Sequence, residues 1–106
     1  MADDTLKQLG AILESRKTAD PETSYVASLY AKGLESILKK IGEEATEVII
    51  AANSGQKKAI IHETADLWFH TMVMLSHKGL DISDILSELE SRFNQSGLEE
   101  KANRKT

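Results

Sequence analysis

Acidic side chains interrupt two otherwise apolar helical segments of the sequence, "KKIGEEATEVIIAA" and "HETADLWFH". The acids in question are Glu43, Glu44, Glu47, Glu63 and Asp66. Residues three apart on a helix project from the same side, with Cβ atoms about 5–6 Å apart. Each segment therefore presents a pair of carboxylates on one face. Two antiparallel helices packed at about 8–10 Å would bring both pairs together.

Converging carboxylates repel each other, and the repulsion must be relieved. Two like charges about 4 Å apart repel by about 4 kcal/mol at an effective dielectric constant near 20. Four such groups with a single lysine nearby, Lys40, either take up protons or bind a cation. Oxygen ligands suit a hard ion, Mg²⁺ or alternatively Mn²⁺, rather than zinc or copper.

An alternative explanation of the first segment is a solvated helix face. Glu43 points away from the apolar stripe, and ion pairs such as Lys39 with Glu43 or Lys40 with Glu44 would account for the charges without a metal. The second segment resists this explanation, because its helix is apolar on nearly every side and is expected to be buried. We therefore expect Glu63 and Asp66 to lie in the interior, where unpaired charge is costly.

The other side chains of the second segment and its helix are expected to occupy ordinary core or surface positions, with His70 as a special case. His70 shares a face with the second acid pair and is either a hydrogen-bonding core residue or an outer partner of the acids. We expect His62 and His77 to lie at the surface. Core positions are predicted for the large apolar side chains of this helix, Trp68, Phe69, Met72 and Met74.

Helical periodicity without period-2 alternation predicts an all-α fold. We expect helices over residues 5–15, 25–32, 34–53 and 57–78, and a fifth from residue 82. The boundary signals are a capping box of Thr5 with Gln8, an N-cap at Ser24, a left-handed C-cap at Gly55, and an N-cap at Asp81 or Ser83. Residues 1–95 are predicted to form one domain, and residues 96–106 a polar tail.

Composition excludes several classes of function. The net charge of −4 and the isoelectric point of about 5.3 argue against binding to nucleic acid. With no cysteine among the 106 residues, thiolate metal sites and cysteine nucleophiles are excluded. The longest apolar run, residues 48–52, is far shorter than the roughly 20 residues that span a membrane. We therefore expect a cytoplasmic protein that does not associate with membranes.

The two acidic segments together resemble a known signature. "GEEATEVIIAA" followed by "ETADLWFH" is similar to the Glu-Glu-x-x-Glu and Glu-x-x-Asp motifs of the all-α, MazG-like nucleotide pyrophosphohydrolases. The longer block "SYVASLYAKGLESILKKIGEEATEV", with "ADLWFHTMVML" and the tail "RFNQSGLEEKANR", resembles the phosphoribosyl-ATP pyrophosphohydrolases of histidine biosynthesis. The resemblance covers nearly the whole chain.

The resemblance implies a fold, a reaction and roles for individual residues. The fold is a helical bundle of about four to five helices, and the reaction is hydrolysis of phosphoribosyl-ATP to phosphoribosyl-AMP and pyrophosphate with Mg²⁺. By position, Glu43 matches an outer-shell group or base for water, and Lys40 is placed to hold a phosphate oxygen. The implied metal ligands are Glu44, Glu47, Glu63 and Asp66. The block ahead of the acids, residues 24–41, is expected to recognise the phosphoribosyl end together with basic residues near it.

Two alternatives remain open at this stage. One is a broader nucleoside triphosphate pyrophosphohydrolase that uses the same acids, and the other is a non-catalytic helical dimerisation module. The sequence also predicts a homodimer, because a helix that is apolar on almost every side needs more cover than one short chain supplies. We expect dimerisation to complete the bundle.

Overall fold

The computed structural model describes residues 2–93, which form five α-helices and one 3₁₀ turn and contain no β-strand. The helices are α1 (Ala2–Ser15), α2 (Tyr25–Lys32), α3 (Leu34–Ser54), α4 (Lys57–His77) and α5 (Ile82–Ser91), with the turn at Arg16–Thr18. The prediction of an all-α fold is confirmed. Within these residues no helix is both long and apolar enough to cross a membrane. The predicted tail, residues 96–106, lies outside the described residues.

Most helix boundaries follow the predicted capping chemistry. The Ser24 hydroxyl accepts a hydrogen bond of 3.1 Å from the Ala27 amide and starts α2. Gly55 ends α3 in the left-handed conformation with φ of 73°, and Asp81 starts α5 with a capping box. The predicted start of α1 is wrong, because this helix begins three residues before Thr5, at Ala2. An acidic first turn that includes Asp4 suits the positive end of the helix dipole and favours this longer helix.

Helices α3 and α4 form an antiparallel hairpin, joined only by Gly55 and Gln56. Theirs is the most extensive contact between any two helices of the described chain. Helix α2 packs against α3, α1 packs against α4, and α5 packs against α1. The two acidic segments, one on each arm of the hairpin, are therefore neighbours in space.

The hydrophobic core lies at the open end of the hairpin, where α1 and α2 cover α3 and α4. Its fully buried large side chains are Leu13, Ile37 and Val73, and each contributes about 1.5–3 kcal/mol relative to an exposed position. Val26, Leu29 and Met72 complete the buried cluster. This core fixes the position of α2 relative to the hairpin, and hence the position of the first residues of α2.

The closed end of the hairpin is much less covered. Trp68 is 58% exposed, Ile61 69% and Ile49 62%, so the prediction that Trp68 belongs to the core is wrong. The reason is architectural, because α1 and α2 reach only the open end of the hairpin. Phe69 packs against the core cluster, and Met72 is buried, as predicted.

A single residue, Gly33, connects α2 to α3. Its φ of 99° and ψ of −179° lie in a region that L-residues with a side chain rarely adopt. The Gly33 amide donates to the Leu29 carbonyl at 3.1 Å, and its carbonyl accepts from the Ile37 amide at 3.3 Å. Both helix ends are thus hydrogen-bonded through this joint, which sets the angle between α2 and α3.

Candidate active site

Tyr25 is the first residue of α2 and reaches across to α4. Because Ser24 caps the helix, Tyr25 occupies its first turn, with the ring half exposed at 52%. Its hydroxyl lies 2.8 Å from Nε2 of His70, and the two rings meet edge to face. This contact joins two residues that are 45 positions apart in the sequence.

The hydrogen bonds of His70 fix its tautomer. The side chain is buried, and its Nδ1 lies 2.8 Å from the backbone carbonyl oxygen of Asp66. Because a carbonyl only accepts, Nδ1 carries a proton and donates, which leaves Nε2 of the neutral ring as an acceptor. The Tyr25 hydroxyl therefore donates to Nε2. His70 is thus a buried hydrogen-bonding residue, one of its two predicted roles, and its contact with Asp66 is to the backbone carbonyl.

The acids of α4 gather with a histidine that the sequence analysis assigned to the surface. Potential ligand atoms of His62, Glu63 and Asp66 all lie within 4.8 Å of one another. Nε2 of His62 is 3.4 Å from an Asp66 carboxylate oxygen. His62 is indeed exposed, but the spacing of four residues brings it over Asp66 on one helix face. Among the described residues, this is the one group of three side chains with metal-binding spacing.

The predicted burial of Glu63 and Asp66 is wrong for this chain. Both residues are intermediate in exposure, and the Asp66 side chain is 40% accessible. Partly exposed carboxylates can be reached by a cation or a phosphorylated substrate that approaches from solvent.

On α3, the buried acid is Glu44, which keeps only 9% of its surface exposed. The Lys40 ammonium lies 3.5 Å from a carboxylate oxygen of Glu44 and 3.5 Å from one of Glu43. The alternative of an ion pair between Lys40 and Glu44 is therefore present in the structure. Glu47 is exposed and, among the described residues, belongs to no three-residue cluster with metal-binding spacing.

Electrostatic interactions tie the two arms of the hairpin to Tyr25. Burial raises the pKa of the Tyr25 hydroxyl, and the charges of Glu44, Asp66 and Glu43 add to this increase while Lys40 opposes it. Burial acts to lower the pKa of Lys40, but Tyr25, Glu44 and Glu43 outweigh it, so this pKa is raised. The Tyr25 hydroxyl thus lies within the field of acids from both α3 and α4.

Four of the predicted residues act electrostatically on Tyr25, which was not itself a predicted site residue: Lys40, Glu43, Glu44 and Asp66. Glu63 and Asp66 lie together on α4, and Lys40 bridges Glu43 and Glu44 on α3. The sequence feature that could have indicated Tyr25 is its position directly after the helix-capping Ser24, because the cap makes Tyr25 the first residue of α2. No buried side-chain polar atom of the described residues lacks a hydrogen-bond partner. The arrangement can bind a cation beside a lysine, which is the chemistry needed to hold a polyphosphate.

Comparison with known proteins identifies the family to which this arrangement belongs. Residues 6–93 match the family model described as phosphoribosyl-ATP pyrophosphohydrolase. The chain belongs to this family. The matched region contains all of the site residues described above, and it ends where the described part of the structure ends.

Individual members of the phosphoribosyl-ATP pyrophosphohydrolase family align over almost their full length. A relative named phosphoribosyl-ATP pyrophosphatase from Methylococcus capsulatus is 61% identical over 96% of this chain and 97% of the relative. A relative of the same name from Hydrogenovibrio crunogenus is 57% identical over 98% of this chain and 96% of the relative. A third, from Methylibium petroleiphilum, is 58% identical over 97% of this chain and 86% of the relative.

Membership of this family decides between two of the sequence-based alternatives. The family and the relatives carry the names of hydrolases, so the chain is an enzyme and not a non-catalytic dimerisation module. The predicted resemblance is confirmed. The acids on α3 and α4 are accordingly candidates for catalysis rather than ordinary surface charge.

Proposed function

We propose that the protein hydrolyses phosphoribosyl-ATP to phosphoribosyl-AMP and pyrophosphate, the second step of L-histidine biosynthesis. The observation that supports this most strongly is the family match, whose span of residues 6–93 includes α2, α3 and α4. These are the helices that bring Tyr25, Lys40, Glu44 and Asp66 into one electrostatic neighbourhood. We further propose that the protein acts in the cytoplasm, because it is a biosynthetic enzyme.

Within this proposal, Mg²⁺ is the metal, with Mn²⁺ as the alternative. The donor set fits such an ion, because Glu63 and Asp66 supply carboxylate oxygens within 4.8 Å of each other and hard cations prefer oxygen ligands. Glu44 and Glu47 of α3 are the other proposed ligands. When bound, the ion would neutralise phosphate charge and lower the pKa of a coordinated water.

The protein's own groups then position the substrate and the water. Water attack on either phosphorus of the α–β anhydride breaks a bond to the bridging oxygen and releases pyrophosphate. We assign Glu43 as the acceptor of the water proton, because its side chain is half exposed and lies beside Lys40. The Lys40 ammonium, already at the site, holds a phosphate oxygen and balances the charge of Glu44.

The hydrogen bonds of Tyr25 and His70 stabilise the position of Asp66 without contacting its carboxylate. His70 donates to the Asp66 carbonyl and accepts from Tyr25, so α2 and α4 are held together at the level of the acids. A carboxylate whose backbone is held in this way loses less conformational freedom when it binds a ligand. Tyr25 and His70 are therefore proposed as positioning residues.

A homodimer is also part of the proposal. Several large apolar side chains at the closed end of the hairpin are exposed, among them Ile49, Ile61 and Trp68. A monomeric protein rarely leaves such a patch open to water. A second copy of the chain, placed against this end of α3 and α4, would cover the patch and complete the helical bundle.

The decisive experiment compares substrates. We expect pyrophosphate release from phosphoribosyl-ATP to exceed that from ATP, dUTP and dCTP in kcat/KM by at least about 100-fold, the scale on which lost polar contacts discriminate substrates. Equal kcat/KM values for the ordinary triphosphates would favour a broader nucleoside triphosphate pyrophosphohydrolase. If none of these four substrates were hydrolysed with Mg²⁺ or Mn²⁺, both the proposed function and the broader pyrophosphohydrolase would be contradicted.

A further inference from the structure

A groove opens beside Tyr25, between the 3₁₀ turn and the start of α2. Its volume is about 420 Å³, and its lining includes Arg16, Thr23, Ser24, Tyr25 and Phe69. Sites for small molecules typically span about 300–1,000 Å³. The groove is therefore large enough to hold a sugar phosphate.

The charge of this groove is opposite to that of the protein as a whole. The chain carries a net charge of −4, yet the charged side chain among the residues that line the groove is Arg16. Within residues 2–93, no carboxylate lies at ion-pair distance from the Arg16 guanidinium. Its hydrogen-bond donors are therefore free to bind an anion.

The backbone that carries Arg16 is anchored to α2. The Tyr30 hydroxyl donates a hydrogen bond of 3.0 Å to the Leu13 carbonyl, one turn before Arg16. The Arg16 carbonyl in turn accepts from the Ala19 amide at 3.1 Å. Leu13 itself is fully buried in the core. The groove is consequently preformed in its backbone, which reduces the entropy lost on binding.

Tyr25 forms a wall common to the groove and the acidic site. One part of its side chain lines the groove, while its hydroxyl contacts His70 next to the Asp66 backbone. A substrate that occupies both places must be anionic at each end. At the acidic end it needs a cation as intermediary, and in the groove it meets a cation directly.

We propose that this groove binds the phosphate monoester at the phosphoribosyl end of the substrate, with the Arg16 guanidinium contacting that phosphate directly. The inference rests on the proposed function, because the triphosphate end is assigned to the acidic site. A planar guanidinium with two parallel donors matches a phosphate in geometry and charge. Ser24 lines the same groove, and its hydroxyl, which accepts from the Ala27 amide, keeps its own proton as a further donor.

The test compares two substrates in one variant. In Arg16→Ala, KM for phosphoribosyl-ATP should rise about 10- to 100-fold with little change in kcat, as expected for loss of a charge-assisted contact that is equal in ground and transition states. The slow hydrolysis of ATP, which lacks the phosphoribosyl group, should stay unchanged. Arg16→Lys keeps the charge without the paired donors and should give an intermediate KM.

Lys17→Ala is the matched control. Lys17 is the neighbouring cation, but it pairs with Glu14 at 3.0 Å and lines a different cavity, between α1 and α4. Its removal should leave KM for phosphoribosyl-ATP unchanged. Equal losses for phosphoribosyl-ATP and ATP in Arg16→Ala would overturn the proposal, because Arg16 would then act on the adenosine triphosphate part or on folding. A KM equal to that of the wild type would overturn it as well.

A binding measurement separates this inference from the proposed function. Ribose 5-phosphate should bind the wild-type protein in calorimetry and should bind Arg16→Ala at least about tenfold more weakly. If the wild type did not hydrolyse phosphoribosyl-ATP, the proposed function would fail, while weaker ribose 5-phosphate binding in the variant would still support the groove. If adenosine bound in place of ribose 5-phosphate and competed for the groove, the assignment to phosphate would be wrong.

Discussion

The Tyr25 hydroxyl donates a hydrogen bond to Nε2 of His70 at 2.8 Å, and this bond links the first turn of α2 to the arm of the hairpin that carries Glu63 and Asp66. His70 in turn donates a hydrogen bond from Nδ1 to the Asp66 carbonyl, so its ring connects Tyr25 to the backbone at Asp66. The backbone at Asp66 is therefore connected, through His70, to a residue that is remote from it in sequence.

Tyr25→Phe tests this link with the smallest possible change. Loss of the hydroxyl leaves Nε2 of the buried His70 without its partner, so the free energy of unfolding should fall by about 1–3 kcal/mol. The value of kcat should fall about tenfold or more, the usual effect of removing a group that orients a ligand. Urea unfolding and steady-state kinetics measure the two effects.

Thr71→Val is the control for this variant. It removes a hydroxyl hydrogen bond of 2.7 Å on the same helix, to the Leu67 carbonyl, but does not touch Tyr25 or Asp66. It should lower stability slightly and leave kcat unchanged. A Tyr25→Phe enzyme with wild-type kcat would show that the link serves folding alone.

Lys40→Met should reduce kcat/KM for phosphoribosyl-ATP by about tenfold or more, because a charge-assisted contact to phosphate is lost. Lys39→Met is the matched control, since Lys39 is exposed and makes no ion pair with any described residue. Initial-rate kinetics at saturating Mg²⁺ compare the two variants. Equal activities of Lys40→Met and Lys39→Met would remove Lys40 from the site.

Asp66→Asn tests the metal assignment. The substitution keeps size and removes one negative ligand, so kcat/KM should fall by at least about 100-fold. Excess Mg²⁺ should stabilise the wild type by about 2.7 kcal/mol at a concentration 100 times Kd, and Asp66→Asn should lose most of this gain. In EDTA, the variant should be at least as stable as the wild type, because one repulsive charge is gone.

Glu90→Gln is the corresponding control, since its exposed carboxylate pairs with no other described residue. Thermal melting with Mg²⁺ and with EDTA provides the measurement. The metal assignment would be refuted by Asp66→Asn activity near that of Glu90→Gln, or by full wild-type activity in EDTA.

The pH dependence of stability should include a contribution from Glu14. Hydrogen bonds from Lys17 and Ser76 hold the pKa of this carboxyl below its ordinary value of 4.5. A lowered folded-state pKa means that the ionised form is favoured by folding, so the stabilisation is present above pH 4.5 and is lost as the pH falls through the lowered pKa. Glu14→Gln should therefore be less stable than the wild type at pH 6.

The difference in stability between Glu14→Gln and the wild type should shrink as the pH falls below 4.5 and through the lowered pKa. Urea unfolding at a series of pH values measures it, and Glu90→Gln provides a carboxyl removed without loss of a described contact. A constant difference across the whole pH range would contradict the electrostatic explanation and leave only a packing effect at Ser76.

Light scattering tests the proposed dimer. At micromolar concentration we expect a mass of about twice the 11.7 kDa of one chain. Ile61→Glu places a charge in the proposed interface and should shift the mass toward that of a monomer, because a buried unpaired charge is costly. Ile12→Glu makes the same change at an exposed position of α1, away from the closed end of the hairpin, and should stay dimeric. A monomeric wild type with full helicity would refute the interface.

Local chemistry made much of this fold predictable. Ser24, Gly55 and Asp81 end or begin helices through bonds to their immediate neighbours, and the spacing of the acids places each pair on one helix face. Longer-range relationships were not accessible in the same way. The bond between Tyr25 and His70 depends on how α2 packs on the hairpin, which no local pattern encodes.

Burial was the least predictable property, and Trp68 shows why. An apolar helix predicts that something covers it, but it does not say whether the cover comes from the same chain. In this chain α1 and α2 shield the open end of the hairpin and leave Trp68 half exposed. Glu44 shows the opposite case, because the alternative of a solvated helix face would leave it exposed, whereas it is buried with Lys40 as its counter-charge.

The joint at Gly33 has a consequence for chemical synthesis of the protein. Its φ of 99° and ψ of −179° are the mirror image of an extended conformation that ordinary residues adopt with ease, so the site favours a residue of D chirality. A Cβ built there meets no atom within 4 Å beyond the two neighbouring residues, so L-alanine is disfavoured only by the crowding of its Cβ against the adjoining backbone at positive φ. D-alanine, introduced by peptide ligation, would adopt these φ and ψ values without strain. It would also reduce the conformational entropy of the unfolded chain and restrict variation in the angle between α2 and α3.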